Sequence, residues 1–187
     1  MNHLFRRQVY LRMEISTQVC REIANPTVLD IGCGPGVVLK TLFDEGGVHH
    51  AVGLDFSDEM LSEAGHRMEN RVRNNQLELL KVDFMTHDFK DRRFDIVTIL
   101  GVFDYIGEYE KFFRKAISLA THAVVSSFPG GGFRMWLRKK RYPCPVYPYT
   151  WEQIVQMHKN SALPEPERYP ASGGYVTITR NPNLSEK

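Results

Sequence analysis

Residues 27–36 read Thr-Val-Leu-Asp-Ile-Gly-Cys-Gly-Pro-Gly, and this stretch decides the fold. Val28, Leu29 and Ile31 flank Asp30 and lead into three glycines at alternate positions, Gly32, Gly34 and Gly36. An apolar run passing into glycines predicts a strand that feeds a tight turn, and a helix-like stretch over 37–45 follows at once. Glycine admits positive φ and lets a ligand approach the main chain with no Cβ in the way. The turn is therefore suited to hold a ligand against bare backbone at the carboxyl end of a strand, where open α/β sheets bind.

Outward from this turn, strands and helices alternate. Leu4, Val9, Leu11, Val19 and Ile23 lie among charges, which predicts a weakly amphipathic helix over 4–24, ended by Pro26. A second strand over 50–54 ends in Asp55, and Ser57 is placed to cap a helix that carries Met60, Leu61, Ala64 and Met68 on one face. A third strand over 77–82 ends in Asp83, and a fourth over 94–100 ends at Gly101. A helix over 109–120 precedes a fifth strand over 123–128, stopped by Pro129. Thr150 and Gln153 stand at capping-box spacing for a helix to about Lys159, and a last strand spans 175–179. Short apolar strands alternating with helices predict a doubly wound, mostly parallel α/β sheet covered on both faces.

At 187 residues the chain is expected to form one domain, 1–187, with a helical segment over 1–25 and a cap over 130–149. Lys and Arg total 24 against 22 Asp and Glu, so the net charge of +2 singles out no strongly charged partner. Cys20, Cys33 and Cys144 have neither metal-ligand spacing nor even pairing, which predicts no metal and a reduced, cytoplasmic setting. Arg6 and Arg7 are followed by no apolar core, so no secretory signal is read. No run approaches the ~20 apolar residues of a membrane helix.

Asp30, Asp55 and Asp83 each stand at the end of a predicted strand, on one edge of a parallel sheet. Three carboxylates there repel one another unless a ligand with several donors offsets the cost. Asp55 falls 19 residues after Gly36, where nucleotide-binding folds place an acid on ribose hydroxyls. Asp83, one strand further out, suits an exocyclic amine, and Phe56 and Phe84 are placed to sandwich a purine. The spacing G-x-G-x-G, with Val37 where a third dinucleotide-site glycine would stand, argues against a pyrophosphate, as does Asp30 beside the turn. A G-x-x-x-x-G-K-[ST] motif is missing. A nucleoside with a positive centre and an ammonium fits better.

Val28-Leu29-Asp30-Ile31-Gly32-Cys33-Gly34-Pro35-Gly36 resembles the first motif of the class I S-adenosylmethionine-dependent methyltransferases. The likeness continues through Val52-Gly53-Leu54-Asp55-Phe56-Ser57, Val82-Asp83-Phe84 and Phe94-Asp95-Ile96-Val97. It implies a seven-stranded sheet with the last strand antiparallel, S-adenosylmethionine as cofactor and S-adenosylhomocysteine as product. It also implies that Asp30, Gly32, Cys33, Gly34 and Gly36 lie along the methionine part and that Asp55, followed by Phe56, holds the ribose. Asp83 and Phe84 would border the adenine, and Gly101 to Phe103 the methionine end and the transferred methyl. Within the family the chain is most similar to small-molecule methyltransferases. Ser126-Ser127-Phe128-Pro129 and the basic segment after it resemble enzymes acting on oxygen of tetrapyrrole-type or other natural-product acceptors. Two departures stand out. The usual tyrosine-rich N-terminal cover has no clear match, with Tyr10 or Arg12 as substitutes. Asn160-Ser161-Ala162-Leu163-Pro164 replaces the usual Gly-Phe before the last strands.

Because such a donor is already activated, proximity and in-line geometry supply much of the catalysis. A general base helps only where the acceptor must lose a proton. Asp104 and Tyr105, just past the fourth strand, are the candidates, with capping of the next helix as the competing reading for Asp104. Cys33 reads as a small residue, Asp95 as structural, and His87 and His122 as surface histidines. Arg134, Arg138, Lys139, Lys140 and Arg141 cluster in an acid-free stretch, interleaved with Trp136, Tyr142, Tyr147 and Tyr149. A solvated loop, a contact to an anionic small-molecule acceptor, and an RNA or lipid-surface contact all suit that stretch. The low net charge argues against a large nucleic-acid footprint. Leu100-Gly101-Val102-Phe103 stands where amino-methylating enzymes carry Asn/Asp-Pro-Pro-Tyr/Phe, which counts against base N-methylation. The expected function is methyl transfer to a small molecule, with O-methylation as one option and the accepting atom left open. The alternatives are a non-catalytic cofactor- or partner-binding module and an RNA methyltransferase.

Overall fold

A computed structural model describes residues 3–107, 109–131, 147–171 and 173–181. In chain order the elements are α1 (His3–Cys20), β1 (Thr27–Ile31), α2 (Val37–Glu45), β2 (His50–Asp55), α3 (Asp58–Arg67) and α4 (Glu69–Arg73). They continue with β3 (Leu77–Lys81), β4 (Phe94–Ile99), α5 (Tyr109–Leu119), β5 (Ala120–Pro129), α6 (Trp151–Asn160), β6 (Glu167–Ala171) and β7 (Gly174–Arg180). The seven strands form one sheet in the order β3-β2-β1-β4-β5-β7-β6. The first five pair in parallel. β7 runs antiparallel to both β5 and β6, as the resemblance implies for the last strand.

The chain winds outward from β1 through β2 to β3, then returns to the other side of β1 with β4. That reversal opens a crevice at the carboxyl ends of β1 and β4, the place where such sheets bind ligands. The strands are nearly continuous apolar runs because helices cover both faces. Leu29, Val97, Val124 and Phe128 pack with Phe112 and Phe113 of α5 and Ile154 and Met157 of α6. Val28, Ile96 and Val125 pack on the opposite face with Ile15 and Val19 of α1 and Leu39 and Leu42 of α2. Each such side chain contributes about 1.5–3 kcal/mol on burial. Among the described residues no helix is long and apolar enough to cross a membrane.

Several boundaries differ from the sequence-based expectation. α1 stops at Cys20 rather than near residue 24. Asn25 takes a left-handed φ of 56°, and Pro26 disfavours helix at the residue before it. β5 begins at Ala120, three residues early, and β6 was not foreseen. At the amino edge the Asp95 carboxylate accepts the Thr27 amide and hydroxyl, each at 2.8 Å, and the Thr121 hydroxyl at 3.1 Å. It thereby joins β1, β4 and the start of β5, a structural role. His122 pairs with Glu22 at 2.7 Å, and the His87 ring stands edge-on to Phe89.

Candidate active site

The glycine turn is shaped by sterics. Gly32, Gly34 and Gly36 have φ of +74°, +52° and +74°, in the left-handed region that side chains disfavour. A Cβ on Gly32 would fall 2.4 Å from Val102 Cγ2, and one on Gly36 would fall 2.6 Å from Met68 Cε. A Cβ on Gly34 would meet nothing within 4 Å, so that position is held by conformation alone. The Gly32 and Cys33 amides donate to the Leu54 carbonyl, each at 2.8 Å, which laces the turn to β2. Cys33 is buried, and desolvation, then the charges of Asp30 and Asp55, push its thiol well above the ordinary value. It is an inert small residue rather than a nucleophile.

Each acid has a distinct environment. Asp55, at the end of β2, accepts the Gly34 amide on Oδ2 and the Ser57 amide on Oδ1, both at 2.9 Å. Ser57 in turn caps α3, its Oγ accepting the Met60 amide at 3.2 Å. Asp55 therefore fixes the glycine turn relative to the start of α3. Asp30 is 2% exposed. Its Oδ1 accepts the Thr98 hydroxyl at 2.6 Å, and Oδ2 is buried with no hydrogen-bond partner. Burial raises its pKa from 3.8 to about 6, the Asp55 charge adds to the rise, and the Thr98 bond opposes it. Asp83 is exposed, and its Oδ1 accepts the Met85 amide at 2.7 Å.

A cleft of about 580 Å³ opens at the carboxyl ends of β1, β2 and β4, within the usual range for a small-molecule site. The glycine turn contributes Gly32 to its wall, β2 contributes Asp55 and Phe56, and the chain after β3 contributes Asp83 and Phe84. Gly101, Val102 and Tyr105 enter from beyond β4. Asp30, Cys33, Gly34, Gly36 and Asp104 do not line it. The two phenylalanines expected to face each other are unlike. Phe56 is 70% exposed, whereas Phe84 is 4% exposed and packs 4.6 Å from the Phe112 ring. Met85, Ile106 and Phe112 also line the cleft. Sequence reasoning missed them because no motif marks them. Only the apolar face of the 109–120 helix hinted at Phe112.

Beyond β4, Gly101 has φ +85° and donates its amide to Ser127 Oγ at 2.9 Å. A Cβ there would lie 3.3 Å from Arg12 Nη1, so Arg12 of α1 reaches this edge, while Tyr10 is 62% exposed. Tyr105 is half exposed and faces the cleft; Asp104 is 5% exposed and accepts the Tyr147 amide on its carbonyl at 3.0 Å. Asp104 lies five residues before Tyr109, where α5 begins. Tyr149 is buried among Phe103, Phe128 and Tyr109, and its hydroxyl donates to the Ile106 carbonyl at 2.7 Å. Burial pushes that phenol well above its ordinary pKa. The expected basic cluster, Arg134, Trp136, Arg138, Lys139, Lys140, Arg141 and Tyr142, lies outside the described residues, as does Cys144.

The family model for a methyltransferase domain matches residues 28–122. Over 92 residues the chain is 25% identical to a ubiquinone biosynthesis O-methyltransferase of Coxiella burnetii, covering 49% of this chain and 38% of that protein. It is 35% identical over 96 residues to a demethylmenaquinone methyltransferase of Oceanobacillus iheyensis, covering 49% of this chain and 40% of the relative. The match thus spans about two fifths of the length of these curated relatives. Among solved structures, the magnesium protoporphyrin IX methyltransferase of Synechocystis PCC 6803 with bound SAH superposes with a TM-score of 0.70 at 18% identity, covering 96% of this chain and 86% of that one. A small RNA methyltransferase superposes at 0.77 with 20% identity, covering 96% of this chain and 26% of that one. At these identities the structural likenesses establish the fold. The family model spans more than half of the 187 residues, and the chain belongs to the class I S-adenosylmethionine-dependent methyltransferases.

Proposed function

We propose that the chain holds S-adenosylmethionine in this cleft and transfers its methyl group to an oxygen of a small-molecule acceptor. The observation that carries the reading is the convergence of the glycine turn, Asp55 and Asp83 on one cleft of about 580 Å³. The residues fit the cofactor. The turn offers backbone without side chains. Each Asp55 oxygen takes one amide and keeps a lone pair for a ribose hydroxyl. Behind the turn and off the cleft wall, the buried Asp30 carboxylate has one oxygen without a hydrogen-bond partner, and its negative charge complements an ammonium held at the turn. Phe56 and Phe84 flank the place of the base, with Asp83 toward its amine.

When bound, the cofactor supplies a methyl group on positively charged sulfur, ready for displacement. The chain's own part is to align the acceptor and to exclude water, which the apolar side chains of Val102, Ile106 and Phe112 favour. Tyr105 faces the cleft and is assigned to the acceptor oxygen, through its phenol. Asp104, the other candidate base, is buried and does not line the cleft, so it is assigned no contact with the acceptor. The names of the curated relatives, one of them an O-methyltransferase, favour a quinone-type acceptor, and the apolar, aromatic lining suits a flat ring.

Calorimetric titration with S-adenosylhomocysteine tests the first half, and absence of micromolar binding overturns it. Transfer of labelled methyl to a panel of phenols, quinols and RNA oligonucleotides tests the second. Binding without transfer to any of them identifies a non-catalytic module, and transfer to RNA alone identifies an RNA methyltransferase.

A further inference from the structure

The loop after β3 carries Asp83, Phe84 and Met85 into the cleft, yet no helix among the described residues supports it between Lys81 and Phe94. It is held instead by Lys115, a half-buried residue of α5. The Lys115 ammonium donates to the Met85 carbonyl at 3.1 Å and to the His87 carbonyl at 2.7 Å. The same ammonium sits 5.2 Å from the centre of the Phe84 ring and 5.6 Å from that of Phe89. One side chain thus grips both backbone and rings of this loop. Within the loop, Asp83 accepts the Met85 amide on Oδ1 and the His87 amide on its carbonyl. The residues whose carbonyls Lys115 fixes are those whose amides Asp83 fixes. The orientation of the Asp83 carboxylate and the position of the Phe84 ring therefore depend on a lysine outside the cleft.

We infer that Lys115 is a positioning residue for the base of the bound nucleoside, setting selectivity for an amino-bearing purine through Asp83 and Phe84. The inference rests on the cofactor reading above. Three polar donors on a flexible stem suit Lys to two diverging carbonyls, and its charge suits the ring faces beneath it. A neutral side chain of similar length keeps the packing and loses both grips.

The test pairs Lys115→Met with Lys115→Arg, titrated with S-adenosylhomocysteine and with its deaminated analogue S-inosylhomocysteine. In the parent the adenosyl compound binds at least tenfold tighter. Lys115→Met is expected to weaken adenosyl binding about tenfold and to bring the ratio of the two affinities toward one, while Lys115→Arg restores most of the preference. General destabilisation weakens both ligands together and leaves the ratio unchanged. Hydrogen exchange without ligand gives an independent arm: in Lys115→Met the amides of Met85 and His87 should exchange at least tenfold faster, with β1 and β4 unchanged. A parental ratio in Lys115→Met, or unaltered exchange in the loop, overturns the role of Lys115. A parent that binds neither compound overturns the cofactor reading, and the assignment with it.

Discussion

The Thr98 hydroxyl donates to Asp30 Oδ1 at 2.6 Å, while the other oxygen of that carboxylate is buried with no hydrogen-bond partner. A half-satisfied buried carboxylate destabilises the free fold, and it persists where a ligand completes it. Folded, Asp30 titrates at about 6 against 3.8 for the ordinary group. Between those values the folded state binds more protons than the unfolded one, so stability falls as pH rises through the window, by about 3 kcal/mol in all. Asp30→Asn is therefore expected to be more stable than the parent at pH 7.5, by about 1–3 kcal/mol, and to lose that advantage near pH 4. Its affinity for S-adenosylhomocysteine should fall. Urea denaturation at both pH values and calorimetry check this; a less stable variant at pH 7.5 contradicts it.

The three turn glycines should rank by what a Cβ meets. Gly34→Ala faces open space and costs only the left-handed backbone, about 1–2 kcal/mol. Gly32→Ala and Gly36→Ala add steric overlap, about 1–3 kcal/mol more. Gly32→Ala meets a single side chain, so Val102→Ala in the same molecule should recover part of the loss. Thermal denaturation of these four variants and of Val102→Ala alone tests the order, and an additive double variant would contradict the contact.

What could be read from the chain was local. The glycine spacing, Asp55 at the end of β2, the Ser57 cap and the Thr150–Gln153 capping box are short-range patterns, and each stands in the structure, whereas Asp30 lies inside β1 and Asp83 two residues past the end of β3. β6 escaped because Glu-Arg-Tyr-Pro-Ala is an edge strand, paired only to β7, with a proline and little apolar content. Lys115 escaped because its partners lie 28 and 30 residues away and no motif links them. The unequal burial of Phe56 and Phe84 is likewise a matter of packing. Both follow an acid in the sequence, but only Phe84 turns inward, onto Phe89 and Phe112.

Asp55 serves the turn as well as the ligand, so its variant is paired with one at Phe56, which makes no contact to the turn amides. Asp55→Ala removes acceptors for the Gly34 and Ser57 amides together with any ribose contact, and should weaken S-adenosylhomocysteine binding by about 1.5–3 kcal/mol. Phe56→Ala touches only the exposed wall. Its thermal midpoint should stay at the parental value, because surface substitutions stay within about 0.5 kcal/mol, while its affinity falls several-fold. Parental affinity in both variants would place the nucleoside elsewhere.

His158 predicts a loss of stability in acid that does not involve the cleft. The ring is fully buried on α6, with Nδ1 against the Ile154 carbonyl and Nε2 against the Thr179 hydroxyl, each at 2.8 Å. The carbonyl can only accept, so Nδ1 carries the proton and Nε2 accepts from Thr179. Burial lowers the pKa below 6.5, while the Ile154 carbonyl and the Glu165 charge oppose that shift. Below about 6.5 the unfolded state therefore binds more protons, and stability is lost as pH falls, by up to about 1.4 kcal/mol per unit. Above that value the contribution is fully present. Between pH 7.5 and 5.5 the denaturation midpoint of the parent should fall relative to that of His158→Gln, which shares the opposing contribution of Asp30 but does not titrate at this position. Equal slopes in the two proteins would show that His158 keeps its ordinary pKa in the fold.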